Sequence, residues 1–209
     1  MKKKLHFLIL GLVLLFMTGG RAECLAADSW DYPTSQPDGK FGGGSGSQSD
    51  PYLINNAQHL ADLAYMVNER NYYKDQYFRL TTDITLNDNV LKADGTPNTS
   101  GTFKSWRPIG MYGVFSDYDF MGTFDGGGHT IRGLYMMDVD RAYQGLFGSI
   151  KNAVVKNLNF EDCMLKGKFD TNFSSMCYSN IGVVVGTAYE SVCKNLHVSK
   201  AWIDEGTCH

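Results

Sequence analysis

The sequence lacks a second long hydrophobic run. The strongly apolar stretch Phe7–Met17 has 11 residues, whereas a helix needs about 20 to cross a bilayer. Lysines precede this stretch and small, polar residues follow it, which is the three-part pattern of a cleaved secretory signal. We therefore expect residues 1–27 to be removed by cleavage after Ala27, and the mature protein to be exported with no membrane span.

A lipobox is also missing around Cys24. A lipobox has an apolar residue three positions before its cysteine and a small residue directly before it, but this chain has Arg21 and Glu23 at those positions. Acylation at Cys24 is therefore the less favoured alternative. We expect a secreted or cell-surface protein, and leave open whether it stays in a periplasm or reaches the outer surface.

The chain has no surplus of basic residues. Its 209 residues are 43% hydrophobic and 20% charged, which is enough to bury a core. Removal of residues 1–27 takes away four of the 19 basic residues and one of the 22 acidic residues, so the net charge changes from −3 to −6. Because nucleic-acid binding requires a basic surface, nucleic acid is excluded as an expected partner.

Closely spaced cysteine pairs are absent as well. The four cysteines after the signal, Cys163, Cys177, Cys193 and Cys208, are 14, 16 and 15 positions apart. Without a C-x-x-C pair, a zinc finger or ribbon is not predicted, and we expect neither a metal nor another cofactor. In an exported protein these residues form disulfides or remain as buried thiols, and the sequence leaves both alternatives open.

The glycine run in GTFDGGGHTIRGL lacks a following helix. A phosphate cradle needs a helix there, so that free amides and the helix dipole face the anion. Instead, alternating β-branched residues follow His129. We therefore predict that Gly126–Gly128 form a corner between strands, because glycine permits the positive φ that such a bend requires.

One segment has a clear helical period. After a Gly/Ser/Pro-rich leader over residues 28–50, which we expect to be a flexible linker or irregular loop, Leu60, Leu63, Ala64 and Val67 form a single apolar stripe. The region 51–76 is therefore predicted to contain a helix, capped at its start by Asn55 or Asn56 and ended by Asn71. We read His59 beside the stripe as a partly exposed helix residue rather than a metal ligand.

From Tyr77 onward the residues are typical of strands, and a repeat appears. TIRGLYM (130–136), VVKNLNF (154–160) and VCKNLHV (192–198) align without a gap, 24 and 38 residues apart. Gly148 and Gly186 lie the same distance before Leu158 and Leu196. Because 24 residues is about one turn of a parallel β-solenoid, residues 77–209 are predicted to form such a stack, with a loop in the longer interval.

YQGLFGSIKNAVVKNLNF and NIGVVVGTAYESVCKNLHV resemble the GLUG motif, a Gly-Leu-x-Gly repeat of secreted bacterial surface proteins. Segments upstream are similar to those preceding such repeats, so the resemblance covers roughly residues 41–206. It implies an all-β fold, a short right-handed parallel β-helix whose N-terminal end is closed by the helix near Leu60. In the second repeat the first glycine of the motif corresponds to Gly182, one position early.

Sets of residues with a catalytic pattern are lacking. No histidine belongs to an H-E-x-x-H motif, which excludes that class of metallopeptidase. The richest carboxylate region contains Asp117, Asp119 and Asp125, with Arg107 and Arg132 nearby in sequence. We expect Asp125 to accept hydrogen bonds from turn amides, and Asp117 and Asp119 to be solvated. No residue is therefore assigned as catalytic.

Aromatic residues are concentrated between positions 103 and 120: Phe103, Trp106, Tyr112, Phe115, Tyr118 and Phe120. Exposed rings of this kind stack on sugars, whereas buried ones fill a core. Tyr112, Tyr118 and Trp106 are the candidate ligand-stacking residues. Core packing is favoured for Trp106, and Tyr112 and Tyr118 are expected to be the exposed pair.

These observations predict a non-enzymatic extracellular module for surface adhesion or glycan contact, with a glycan or a host or cell-surface protein as partner. The alternative is an accessory or N-terminal portion of a larger secreted hydrolase. At the N-terminal end we expect the helix and the leader to cover the stack. At the other end Val192, Leu196 and Val198 have no predicted cover, so the chain is a fragment of a longer repeat protein or associates end to end.

Overall fold

A computed structural model describes residues 26–70, 73–113, 116–139, 143–167 and 180–204. Residues 1–25 of the expected signal, Asn71, Cys177 and Cys208, and most of the loop predicted between the last two repeats, lie outside these residues. Within them the protein is built from short strands and a single helix. The predicted all-β class with a parallel sheet is confirmed at this level.

In chain order the elements are β1 (Tyr52–Ile54), α1 (Ala57–Arg70), β2 (Tyr77–Leu80), β3 (Ile84–Thr85), β4 (Met111–Gly113), β5 (Ser116–Tyr118), β6 (Thr123–Asp125), β7 (Thr130–Arg132), β8 (Tyr135–Val139), β9 (Tyr143–Gln144), β10 (Phe147–Lys151), β11 (Val154–Glu161), β12 (Cys163–Gly167), β13 (Asn180–Ile181), β14 (Val185–Tyr189), β15 (Val192–Val198) and β16 (Ala201–Asp204).

Helix α1 confirms the helical prediction. The four residues of its apolar stripe are fully or almost fully buried. At its start the Asn56 side-chain oxygen accepts a hydrogen bond from the His59 backbone N–H at 2.9 Å, which satisfies one of the free amides of the first turn. The apolar stripe therefore attaches α1 to the core beside β1.

The largest sheet has the order β1-β2-β6-β11-β7-β3, and β15 pairs with β11. All these pairings are parallel. Strand β11 is long enough to pair with β6 through its first half, β7 through its second half, and β15 along almost its whole length. Three smaller sheets, β10-β14, β16-β12-β8 and β13-β9, are also parallel, and β4-β5 is an antiparallel hairpin.

The 38-residue repeat is confirmed by strand register. Val154 pairs with Val192 and Leu158 with Leu196, so the two K-N-L segments lie side by side. In the β9 and β13 pairing Asn180 lies opposite Tyr143, a separation of 37 residues. The register therefore slips by one residue between these strands and the 38-residue pairs, and the Gly182 N–H donates to Gln144 O at 3.0 Å.

The 24-residue repeat is wrong. Thr130 pairs with Asn159, 29 residues away, and Thr123 pairs with Val154, 31 residues away. The turn between β6 and β7 contains two more residues than the bend at the middle of β11. These two residues account for the change in separation from 31 to 29. Gly133 lies beside Asp162 rather than beside Asn157 because it belongs to the next bend along the chain, and both Gly133 and Asp162 have a left-handed φ, near +70° and +57°. The two similar heptapeptides occupy different bends.

Gly126–Gly128 form a turn between β6 and β7, and a strand follows them, as the corner prediction requires. Gly127 and Gly128 have φ of +61° and +84°, a region that L-residues with a side chain rarely adopt. A side chain at Gly126 would also collide with the Asn157 carbonyl oxygen, 2.4 Å from an added Cβ. The glycines therefore form the bend between β6 and β7 and permit close packing against β11.

The leader is irregular but packed, so its prediction as a flexible linker is wrong. Trp30 is 3% exposed, and its ring N–H donates to Leu86 O at 2.9 Å. Leu53 on the outer edge of β1 exchanges backbone hydrogen bonds with Gly42 and Gly43 of the leader. The aromatic and backbone contacts together hold the leader against the sheet, and the edge of β1 is covered, as expected.

Candidate functional site

The aromatic candidates do not form a common surface in the described part of the chain. Trp106 is 2% exposed, its ring N–H donates to Leu146 O at 3.1 Å, and its ring packs against that of Trp30. Its use as a ligand-stacking residue is therefore wrong, and it belongs to the core. Tyr118 is half-buried on β5. The side chain of Tyr112 lies outside the described residues, so ligand stacking by Tyr112 and Tyr118 stays a prediction.

The expected solvation of Asp119 is also wrong. Asp119 is 6% exposed and accepts a hydrogen bond from the hydroxyl of Ser149 on β10. This contact joins the segment after β5 to the neighbouring sheet, which gives the carboxylate a structural role. The side chain of Asp117 lies outside the described residues.

Neither arginine near the carboxylates faces Asp125. Arg132 pairs with Asp83 and Glu161 at 3.1 and 3.0 Å. Arg107 pairs with Glu69 at 3.4 Å, and its guanidinium lies over a tyrosine ring of the leader. The structure therefore distributes the predicted charge cluster over separate ion pairs.

Asp125 accepts a hydrogen bond from the Gly127 backbone N–H at 3.0 Å, as predicted. The side-chain amide of Asn157 donates to the same oxygen at 2.9 Å, and the Lys156 ammonium lies 3.2 Å from the other oxygen. Burial acts to raise the pKa of the Asp125 carboxyl, but the hydrogen bonds from Asn157 and Gly127 and the charge of Lys156 outweigh it and lower the pKa below its ordinary value.

A cavity of about 260 Å³ opens beside Asp125, between the leader and the solvent face of the largest sheet. We call this cavity the sheet groove. Gln48, Ser49 and Pro51 of the leader line one side, and Tyr77, Phe78, Arg79, Thr123, Asp125 and Lys156 of β2, β6 and β11 line the other.

Strand alternation explains which side chains reach the sheet groove. Phe78, Phe124 and Val155 are at most 1% exposed and point into the core. Their neighbours on either side therefore point to the solvent face, because successive side chains of a strand alternate between faces. The opening of the sheet groove is therefore surrounded by a tyrosine ring, hydroxyl groups, a side-chain amide, a carboxylate and two cations.

The solvent-facing residues also form a row across four strands. Arg79 lies beside Asp125, Asp125 beside Lys156, and Lys156 beside Lys194. Neighbouring strands are about 4.8 Å apart, so the row is about 14 Å long. Arg79 and Lys194 are exposed. Neither makes an ion pair or a side-chain hydrogen bond within the described part of the chain.

Sequence analysis missed the sheet groove. The alternation in YFRL, TFD and VVK indicates which residues face solvent, but their assembly into one row depends on the register. The 24-residue alignment places Thr130 beside Val154, and only the observed 31-residue separation places Asp125 beside Lys156. The wrong repeat length therefore prevented prediction of the row of Arg79, Asp125, Lys156 and Lys194.

Part of this chain is similar to segments of two much longer proteins. No protein-family model matches the chain, and no solved structure matches it. A protein named "Putative Gly-rich membrane protein" from Evansella cellulosilytica is 36% identical over 121 residues, 57% of this chain and 12% of that protein. A protein named "Halomucin" from Haloquadratum walsbyi is 30% identical over 152 residues, 69% of this chain and 1% of that protein. The matched region is thus a small part of both relatives.

Two further observations concern membranes and metals. Among the described residues, no helix combines the length and the apolar character needed to cross a membrane. In the same residues, no group of three or more His, Cys, Asp or Glu side chains is placed to hold a metal ion. Cys163 and Cys193 carry free thiols, the first buried and the second exposed.

Proposed function

We propose that this chain is a non-enzymatic extracellular module that contacts glycans at a cell surface. Its scaffold is a short right-handed parallel β-helix with GLUG-type repeats, and the sheet groove is its contact site. The observation that carries the proposal is the composition of the sheet groove, in which a tyrosine and several hydrogen-bonding side chains face one opening.

The strand pairings support the scaffold. Strands of successive repeats pair in parallel at the same 38-residue separation in two different sheets. Asn157 and Asn195 have φ of +54° and +52° at matching bends, and the Asn195 side-chain amide donates to the Asn157 side-chain oxygen at 2.9 Å. Stacked bends with a side-chain ladder are typical of repeat folds in which each unit packs on the previous one.

The chemistry of the sheet groove supports a sugar ligand. A sugar offers hydroxyl groups to amide, hydroxyl and charged side chains, and an apolar ring face to an aromatic ring. Tyr77 supplies the ring, while Gln48, Thr123 and Arg79 supply hydrogen-bonding groups.

Export to the cell surface agrees with the name of one relative, which places that protein at a membrane. The alternative of an accessory portion of a larger secreted hydrolase is retained, because the matched region is a small part of both relatives. N-terminal sequencing of the exported protein tests the location. A start at Asp28 supports export by a cleaved signal. A start at Met1 contradicts export, and an acylated start at Cys24, identified by mass spectrometry, replaces the secreted form with a lipid-anchored one.

A glycan array with purified protein tests the contact site. We expect retention on some glycans and its loss in Tyr77→Ala. The matched control is Tyr189→Ala, since Tyr189 is 61% exposed and lies away from the sheet groove. Unchanged circular dichroism in both variants ensures that binding, not folding, is measured. Retention that persists in Tyr77→Ala but disappears in Tyr112→Ala/Tyr118→Ala would move the contact site to the β4-β5 hairpin.

A further inference from the structure

We propose that the ligand of the sheet groove is an acidic polysaccharide, bound through its carboxylate or sulfate groups by Arg79, Lys156 and Lys194. This inference rests on the proposed function and specifies its ligand class. The three cations project from one solvent face because they occupy paired positions on parallel strands, with Asp125 between the first two.

The local charge is opposite to that of the whole chain. The row contains three cations and one carboxylate, whereas the chain has a formal net charge of −3. Asp125 neutralises Lys156 at 3.2 Å. The charges of Arg79 and Lys194 thus remain available at the two ends of the row. A flexible chain of acidic sugars can place successive anionic groups at both ends.

Most basic side chains elsewhere in the described residues differ in this respect, and those that also lack a carboxylate partner, Lys74, Lys92 and Lys151, do not line the sheet groove. Lys40, Lys104, Arg107, Arg132, Lys166 and Lys200 each lie within 4 Å of a carboxylate oxygen. Arg132 in the neighbouring column of the same sheet pairs with two carboxylates, at 3.1 and 3.0 Å. Exposed cations without a partner, arranged beside a cavity, are therefore a property of this row, and they favour an anionic ligand.

The other groups of the sheet groove favour a sugar over other polyanions. Tyr77 and Gln48 can contact a ring face and hydroxyl groups, which an acidic peptide lacks in this combination. A nucleic acid is the competing polyanion, so single-stranded DNA is the comparison polymer in the test.

The test measures binding of the full mature chain to polygalacturonate, heparin, neutral dextran and single-stranded DNA. We expect binding to polygalacturonate or heparin and none to dextran. Polygalacturonate carries only carboxylates, whereas heparin carries carboxylates and sulfates. Binding to heparin alone therefore indicates sulfate recognition, and binding to polygalacturonate shows that carboxylates are sufficient. The affinity should fall when ionic strength rises from about 0.01 M to about 0.15 M, since the Debye length shortens from about 30 Å to about 8 Å.

Charge-neutral variants locate the effect. Arg79→Gln and Lys194→Gln should each weaken binding to the acidic polymer about threefold to fivefold, the size expected for one exposed charge. Lys92→Gln is the matched control, because it removes one exposed positive charge on the loop after β3. It should leave the affinity unchanged.

Different binding results would overturn the acidic ligand class alone or the proposed glycan contact as well. Equal, salt-insensitive binding to dextran and polygalacturonate, unaffected by Arg79→Gln, would overturn the acidic ligand class and leave glycan contact standing. Binding of DNA as tightly as of acidic glycans would also overturn it. Absence of binding to every polysaccharide, together with an empty glycan array, would overturn both.

Discussion

Strands β11 and β15 share a sequence pattern and a register, yet only β11 is buried. Val155, Leu158 and Phe160 of β11 are each 0% exposed. Their partners in β15 are Cys193, Leu196 and Val198, of which Cys193 is exposed, Leu196 half-buried and Val198 40% exposed. Similar segments with the same bend at asparagine thus reach different degrees of burial.

The difference comes from the number of neighbouring strands. Within the described residues, β11 pairs with β6 and β7 on one edge and β15 on the other, whereas β15 pairs with β11 alone. Strands β12 and β16 differ in the same way, because β12 lies between β8 and β16. We call β11 and β12 the inner strands, and β15 and β16 the outer strands. Local sequence specifies the bend and the register, while burial requires the adjoining layers.

Cysteine reactivity should show the largest difference between inner and outer strands. Burial raises the pKa of the Cys163 thiol to about 12, and Cys163 is fully buried. Cys193 is exposed. Since the thiolate is the reactive form and Cys163 is reached only after opening of the fold, alkylation of Cys163 should be slower on the order of 1,000-fold.

Peptide mapping by mass spectrometry after timed alkylation measures both sites in one sample, so other cysteines do not interfere. Denaturant should abolish the difference, which serves as the control. Comparable rates for Cys163 and Cys193 in native buffer would mean that the inner strands open as readily as the outer ones.

Truncation of the paired leucines should give the next largest difference. Leu158→Ala leaves a cavity in a closed core and should lower the free energy of unfolding by about 3 kcal/mol. Leu196→Ala removes a half-buried side chain and should cost about 1 kcal/mol. Urea denaturation followed by circular dichroism compares the two variants. Equal losses would contradict the comparison, because they would require an additional layer over Leu196.

Asn157 of β11 and Asn195 of β15 form a hydrogen-bonded pair that we call the asparagine ladder. The effect of mutation on the free energy of unfolding should differ less between these two positions than between the leucines. Asn157 donates to Asp125 and accepts from Asn195, whereas Asn195 makes only the second of these hydrogen bonds among the described residues. Both asparagines have a left-handed φ, so replacement by alanine adds a similar backbone cost in each. Asn157→Ala should therefore be about 1 to 2 kcal/mol more destabilising than Asn195→Ala in urea denaturation.

Glycine variants distinguish the backbone contribution of each asparagine from the contribution of its side-chain hydrogen bonds. Asn157→Gly and Asn195→Gly retain an accessible left-handed φ and lose the side-chain hydrogen bonds. If the ladder matters, the difference between the two positions should persist in glycine. Its disappearance would mean that the bend alone accounts for both asparagines.

The helix, the strand character and the 38-residue register followed from the sequence, because each depends on local periodicity or on near-identical segments. Leu60, Leu63 and Val67 needed only a helical period, and Asn56 only its position before the helix. The match of VVKNLNF with VCKNLHV contained no insertion, so its register could be read directly.

The 24-residue repeat and the packed leader could not be read in this way. TIRGLYM spans the bend at Gly133 and VVKNLNF spans the bend at Asn157, so the alignment matched two similar bends that occupy different places in the stack. Burial of Trp30 depends on long-range contacts with Leu86 and Trp106. The sheet groove could not be predicted for both reasons, because one side is formed by the packed leader and the other depends on the register of β2, β6 and β11.

The smallest expected effect concerns acid stability at Asp125, the charged start of the asparagine ladder. Its pKa is lowered in the folded protein, where hydrogen bonds from Asn157 and Gly127 and the charge of Lys156 prevail over burial, which alone raises it. A lowered folded pKa stabilises the fold above the unfolded value of about 3.9, and this contribution is lost as pH falls through the folded pKa. Asp125→Asn should remove it, costing at most about 1 kcal/mol near neutral pH.

Thermal melting from neutral pH to pH values below that of the unfolded carboxyl measures this contribution. The wild-type protein should lose stability more steeply on acidification than Asp125→Asn, and the two curves should converge at the acid end. The control is Asp31→Asn in the leader, whose carboxylate lies 2.9 Å from the Lys104 ammonium and is 87% exposed. So exposed an ion pair contributes little, and Asp31→Asn should follow the wild-type curve. A steeper loss attributable to Asp31 than to Asp125 would contradict the assignment of this acid sensitivity to Asp125 and to its contacts with Asn157 and Lys156 of inner strand β11.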